Sequence, residues 1–231
     1  MSEVARRFLG DIIFLRHGQT KYADVFPDLT PQGKKTIHQS AHKIWCISDK
    51  HRAVIIKSSP LARAQGSASI IASVIGFKDK IIIEDELKAI VIKDIAKGKE
   101  IFDQHITAGG LRQLAVAYGI DARYENPEIF EPRSEIKKRF YKYLARLIKN
   151  LLISDQFPVC CINTSHYETL YHLVENIFRL NYKKEDPLSH GEVILISVHD
   201  VGAENCVEIV ISFRDKKPQK KLFNYVAEQI I

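Results

Sequence analysis

Three stretches of the chain place chemically capable side chains directly after short apolar runs. Arg16, His17 and Gly18 follow residues 11–15 (DIIFL). Ser58, Ser59 and, one helical turn on, Arg63 follow residues 53–57 (AVIIK), and Thr164, Ser165 and His166 follow residues 159–163 (VCCIN). Each run is short, rich in β-branched residues and bounded by polar ones, the pattern of a buried strand opening into a loop. Open α/β sheets bind ligands beyond the carboxyl ends of their strands, so two histidines and two arginines are expected to converge on one edge. That set suits a phosphoryl group. Guanidinium forks match its oxygens, one imidazole can attack phosphorus, and a second, protonated imidazole can bind equatorial oxygens. No metal and no other cofactor needs to be invoked.

The elements that must hold these groups alternate. Thr30 before Pro31 reads as an N-cap followed by proline at the first helical position, with Ile37, Ala41, Ile44 and Trp45 as an apolar stripe. Residues 61–75 read as a helix stopped by Gly76, and residues 81–83 as a short third strand. Residues 87–133 hold Gly98, Gly109, Gly110, Gly119 and two prolines, Pro127 and Pro132, and read as an irregular insertion near the pocket. Residues 134–152 and 167–180 read as helices, and residues 193–198 and 207–213 as a closing hairpin. Alternating β and α elements predict an α/β fold, a three-layer α/β/α sandwich with a mostly parallel central sheet. A single domain is expected, because no repeat, low-complexity tract or Gly/Ser linker divides the 231 residues.

Composition narrows the class of partner. A formal charge of +6, from 34 basic and 28 acidic residues, favours anionic ligands. The basic run at residues 214–221 (RDKKPQKK) reads as a solvated turn rather than a nucleic-acid site, for it lacks interleaved aromatics. No stretch of eighteen apolar residues exists, and residues 1–10 lack the apolar core of a signal peptide, so a cytoplasmic protein without membrane contact is expected. The four cysteines show no CxxC spacing and read as reduced core residues, with Cys160 and Cys161 facing opposite ways along a strand. His38 and His42 share a helix face without a third ligand nearby, and His190 and the remaining histidines read as surface or satisfied core residues. Tyr22, Phe26 and Phe102 read as packing residues.

With IIFLRHGQT, then Leu29-Thr30-x-x-Gly33, then SSPLARA at residues 58–64, then Ser165-His166, the chain resembles the histidine phosphatase superfamily, which includes the cofactor-dependent phosphoglycerate mutases. The resemblance runs from about residue 11 to 213. It implies a phosphoglycerate-mutase-like fold, His17 as nucleophile, Arg16 and Arg63 as phosphate clamps, and His166 as the second histidine of the phosphate pocket. Gly18, Thr20, Ser58 and Ser165 are expected to line the substrate site. To attack, His17 must present a neutral ring nitrogen, so its other nitrogen should donate to an acceptor, for which a backbone carbonyl near Gly18 would serve.

The chain also departs from that family. The usual Glu two residues after a Leu, which protonates the leaving oxygen, is absent: Leu87 is followed by Lys88 and Ala89. Glu86 is the nearest replacement, with Glu84, Asp94 and Asp103 as alternatives. The Gly that follows the second histidine is here Tyr167. The Gly-Gly-Glu-Ser element of the mutases is represented only by Pro132-Arg133-Ser134-Glu135, so a phosphatase acting through phosphohistidine is expected rather than a mutase. Arg112, Arg123 and Arg133 stand in the insertion and each reads first as an exposed, solubilising arginine, with a second anionic group on one of them as the alternative. The expected substrate is a phosphorylated small molecule or a phosphoprotein, and a homodimer is compatible with the sequence. The rival expectation is a phosphate-binding or regulatory module whose turnover is weak or lost, because Ala89 replaces the acid.

Overall fold

The computed structural model describes residues 6–21, 28–178 and 188–231; Tyr22 and Phe26 lie outside them. In chain order the elements are β1 (Arg7–Arg16), α1 (Pro31–Ser48), β2 (Ala53–Ser58), α2 (Ala62–Ile75), β3 (Ile82–Ile83), α3 (Ile95–Ile120), α4 (Arg133–Ile153), β4 (Val159–Ser165), α5 (Tyr167–Phe178), β5 (Val193–Asp200), β6 (Cys206–Phe213), β7 (Gln219–Asn224) and β8 (Gln229–Ile230). They build one sheet in the order β3-β2-β4-β1-β5-β6-β7-β8. β3, β2, β4 and β1 are mutually parallel, whereas β5 to β8 continue as an antiparallel meander. The expected parallel arrangement thus holds for the half that carries the three polar loops. The sheet as a whole is mixed, because the short connections after β5 permit only antiparallel neighbours. The basic run at residues 214–221 is part turn and part strand, with Lys220 and Lys221 exposed on β7.

Strand periodicity makes the three layers. Along β1, Ile13 and Leu15 pack with Ile37, Ala41 and Ile44 of α1 and with Ala68 and Ile71 of α2. Leu9, Ile12 and Phe14 turn to the other face, against Phe140, Tyr143 and Leu144 of α4 and Leu170 and Leu173 of α5. Successive strand residues point to opposite faces, and adjacent Cys160 and Cys161 divide between the two layers in the same way. Burial raises the pKa of both thiols. Trp45, expected in the α1 stripe, is instead 47% exposed. It stands one step round the helix from the line through Ile37, Ala41, Ile44 and Ser48, which is buried. No helix among the described residues is long and apolar enough to cross a membrane.

Most of residues 87–133, expected to be irregular, is helical. α3 runs from Ile95 to Ile120 with a break at Gly109 and Gly110. Glycines obscured the period, yet Gly119 is there for packing: a Cβ on it would stand 2.7 Å from the Tyr171 hydroxyl.

One buried ion pair fixes the edge of the parallel half. Lys57 Nζ donates to Glu84 Oε1 at 2.7 Å, and Arg146 of α4 donates to Glu84 Oε2 at 2.8 Å. Burial alone would raise the Glu84 pKa, but the hydrogen bonds from Lys57 and Arg146 outweigh it and hold the carboxyl below its usual range. Its stabilising contribution is therefore present at neutral pH and is lost as pH falls through that depressed value. Removing one member leaves the other charge buried and uncompensated, so Glu84→Gln should destabilise by roughly 3 kcal/mol. The Lys57→Met/Glu84→Leu double variant should recover most of the loss. Calorimetric unfolding of the three proteins checks this, and equal midpoints for wild type and Glu84→Gln would show the pair to be neutral.

Candidate functional site

The loop after β1 is held from three sides. The His17 amide donates to Ser165 O (3.0 Å) and the Arg16 amide to Glu192 O (3.2 Å). The Gly18 amide donates to Ser67 Oγ (3.1 Å), whose hydroxyl donates to Arg63 O (2.8 Å). From the third side α1 presses on the loop so closely that a Cβ at Gly33 would stand 2.3 Å from Gln19 O. Thr30 Oγ1 accepts from the Gly33 amide at 2.9 Å as the N-cap. The spacing of Thr30 and Gly33 is thus a docking device: the first turn of α1 is capped and seated against the segment that carries His17.

His17 Nδ1 lies 2.7 Å from Gly18 O. A carbonyl only accepts, so Nδ1 carries the hydrogen and Nε2 is the bare nitrogen. Arg63 Nε donates to that Nε2 at 3.1 Å. The His166 ring centroid is 5.0 Å from that of His17, and the His190 centroid 5.5 Å. His166 Nε2 and Ser59 Oγ share a hydrogen bond of 2.7 Å. Arg16 donates from Nη1 to Leu188 O and from Nη2 to His190 Nε2, the latter at 3.2 Å. Arg16, His17, Arg63 and His166 are therefore brought together, with His190 and Ser59 completing the group. His17 is 2% exposed and His166 is fully buried.

Among the described residues, Arg16 Nε, Thr20 Oγ1 and His166 Nδ1 are buried without a hydrogen-bond partner. Such groups also occur away from the site, Tyr118 Oη among them; of these three, Arg16 adjoins His17, Thr20 lies three residues beyond it, and His166 is the neighbouring ring. Burial, followed by the charges of nearby residues, holds the pKa of both His17 and His166 well below the ordinary imidazole value. Burial together with Arg16 and Arg63 lowers that of His190 to about 3. These shifts all favour the neutral imidazole, the opposite direction to the protonated second histidine expected from the sequence.

Other expected site residues are occupied elsewhere. Ser58 Oγ donates to Ser59 O (2.9 Å) and Ser165 Oγ to Leu87 O (2.7 Å), so both hydroxyls hold backbone. The Glu86 carboxylate pairs with Arg146 at 3.1 Å. Glu84 is held by Lys57 and Arg146, Asp94 caps α3 at the Lys97 amide (3.1 Å), and Asp103 is exposed on α3. Thr169 Oγ1 donates to Lys88 O at 2.7 Å. The carbonyls of Leu87 and Lys88 are therefore anchored on residues flanking His166, and the next residue is Ala89. In the insertion, Arg123 is bound to Asp121 (2.7 Å), Gln104 and His105. Arg133 is bound to Glu125 and to the carbonyls of Tyr118 and Gly119. Both fasten the end of α3 rather than reach the histidines; the side chain of Arg112 lies outside the described residues.

Sequence reasoning missed His190. It precedes β5, and a residue before a strand is ordinarily at the wrong end of a parallel sheet. Because β5 runs antiparallel to β1, its start falls beside the end of β1. Only the strand direction could have given that signal.

The family model for the histidine phosphatase superfamily (branch 1) matches residues 12–200. No curated protein matches the chain by sequence. Among solved structures, the chain is similar to a native mycobacterial glucosyl-3-phosphoglycerate phosphatase, at 18% identity over 92% of this chain and 100% of that one, with a TM-score of 0.59. It is also similar to phosphoserine phosphatase from Entamoeba histolytica in complex with 3-phosphoglyceric acid, at 18% identity over 90% of this chain and 98% of that one, with a TM-score of 0.53. At these identities the likeness establishes the fold.

Proposed function

Because this chain belongs to the histidine phosphatase superfamily, we propose that it is a metal-independent phosphatase that hydrolyses a phosphate monoester through a phosphohistidine on His17. The observation that carries this reading is the His17 tautomer: Nδ1 is committed to Gly18 O, and the bare Nε2 faces a guanidinium. In the first step Nε2 bonds to phosphorus as the bond to the leaving oxygen breaks. In the second, water attacks the phosphohistidine, releasing phosphate and restoring His17. Arg63 Nε–H, which occupies the lone pair of Nε2, has to move to a phosphoryl oxygen for attack to begin. Arg16 Nε, Thr20 Oγ1 and His166 Nδ1 are the buried groups available to the remaining oxygens. A bound phosphoryl dianion offsets the two arginine charges and favours the protonated form of His166. His190, as a neutral acceptor, orients Arg16. Ser58 and Ser165 act on the backbone around the pocket.

The enclosed position of His17 favours a phosphorylated small molecule over a phosphoprotein. A second reading, a phosphate-binding module with weak or no turnover, is favoured by one observation, Ala89 at the place where the usual acid would stand. A phosphate-ester panel assayed with EDTA separates the two. Hydrolysis that survives chelation is the expected result. Phosphate binding without hydrolysis of any ester would establish the module, and activity abolished by EDTA would refute metal independence.

A further inference from the structure

We infer that Tyr167 is the specificity-determining residue of this site, closing its α3 side so that only phosphate compounds with a compact organic group are accepted. The inference rests on the phosphate-binding pocket proposed above. Tyr167 directly follows His166, opens α5 and is 5% exposed. Its ring lies under Arg16, with Cζ 5.2 Å from the centroid, while its hydroxyl donates to Ala115 O of α3 at 3.0 Å. The side chain therefore spans the space between the clamp and the insertion.

It is also held against displacement. The Tyr118 and Tyr171 rings pack on it with centroids at 6.0 Å and 5.5 Å. A tyrosine ring has few torsions, and with its hydroxyl anchored it makes a rigid wall. Arg16 in turn has its plane set by Leu188 O and His190 Nε2 at its edge and by the Tyr167 ring on its face. Arg123 and Arg133 are fastened within the insertion, and what Tyr167, anchored on α3, presents to the clamp is an aromatic barrier. A phosphoryl group seated on Arg16 has that barrier beside it, and a bulky group bonded to phosphorus would collide with it.

Phosphonates test this without chemistry, because their P–C bond is not hydrolysed. By calorimetry, wild type should bind methylphosphonate and discriminate against 1-naphthylphosphonate. Tyr167→Ala should shift the ratio of the two affinities at least about tenfold toward the naphthyl compound, within the range found when one hydrophobic group is accommodated or excluded. Tyr167→Phe keeps the ring and should keep the wild-type ratio. A merely structural role would weaken both ligands alike and leave the ratio unmoved. Equal affinity of wild type for the two phosphonates, a measurement needing no variant, would overturn the inference, as would an unchanged ratio in Tyr167→Ala. Hydrolysis of phenyl and 1-naphthyl phosphate by the same proteins keeps the readings apart. Turnover with an unmoved ratio defeats the role of Tyr167 alone, selective phosphonate binding without turnover defeats the hydrolase alone, and binding of neither phosphonate defeats the pocket itself.

Discussion

Replacing His17 with alanine is expected to lower turnover by on the order of 10⁶-fold, the scale seen when a covalent nucleophile is lost. The fold should survive. Arg63 Nε loses its acceptor, a cost of about 1–3 kcal/mol for an unsatisfied donor, while the loop stays fixed by the amides of Arg16, His17 and Gly18. Rapid acid-free quenching of wild type with a labelled aryl phosphate should trap phosphate that is labile to acid and stable to base, and the variant should trap none. Circular dichroism and calorimetry establish that the variant is folded. Comparable hydrolysis by folded His17→Ala would refute nucleophilic catalysis by this residue.

The second large effect is a gain. Wild type lacks a carboxylate after the anchored Leu87 and Lys88, so it should strongly prefer esters whose leaving groups need no proton. Ala89→Glu is expected to raise kcat/KM for alkyl phosphates by roughly 10²–10⁴-fold, the usual worth of general acid catalysis, with aryl phosphates hardly affected. Glu86→Gln, by contrast, should leave the alkyl-to-aryl ratio unchanged, because the Glu86 carboxylate is directed to Arg146. A ratio that falls in Glu86→Gln would restore Glu86 as the acid. A ratio that does not rise in Ala89→Glu would mean that residue 89 is not aimed at the leaving group.

The sequence by itself determined the elements of the parallel half and the loops after them. A strand's two-residue period and the cap and stop residues of α1 and α2 act over a few neighbouring residues, so the local sequence carries them. For the same reason Arg16, His17, Arg63 and His166 were legible, each lying at a strand end or a few residues beyond it. The Gly18 carbonyl anticipated as an acceptor for His17 is equally local. Residues 87–133 were less legible, because glycines placed for close packing look, in sequence, like loop glycines.

The tertiary structure alone decided what depends on pairing between distant segments. The antiparallel direction of β5 puts His190 beside Arg16. The packing of α4 on the sheet brings Arg146 to Glu84 and Glu86 and pairs both carboxylates with it. The seating of α3 against α5 brings the Tyr167 hydroxyl to Ala115 O and leaves its ring against Arg16. The physical reason is the same in each case: charge pairing, burial and ring contacts are set by distance in space, whereas the sequence displays only distance along the chain.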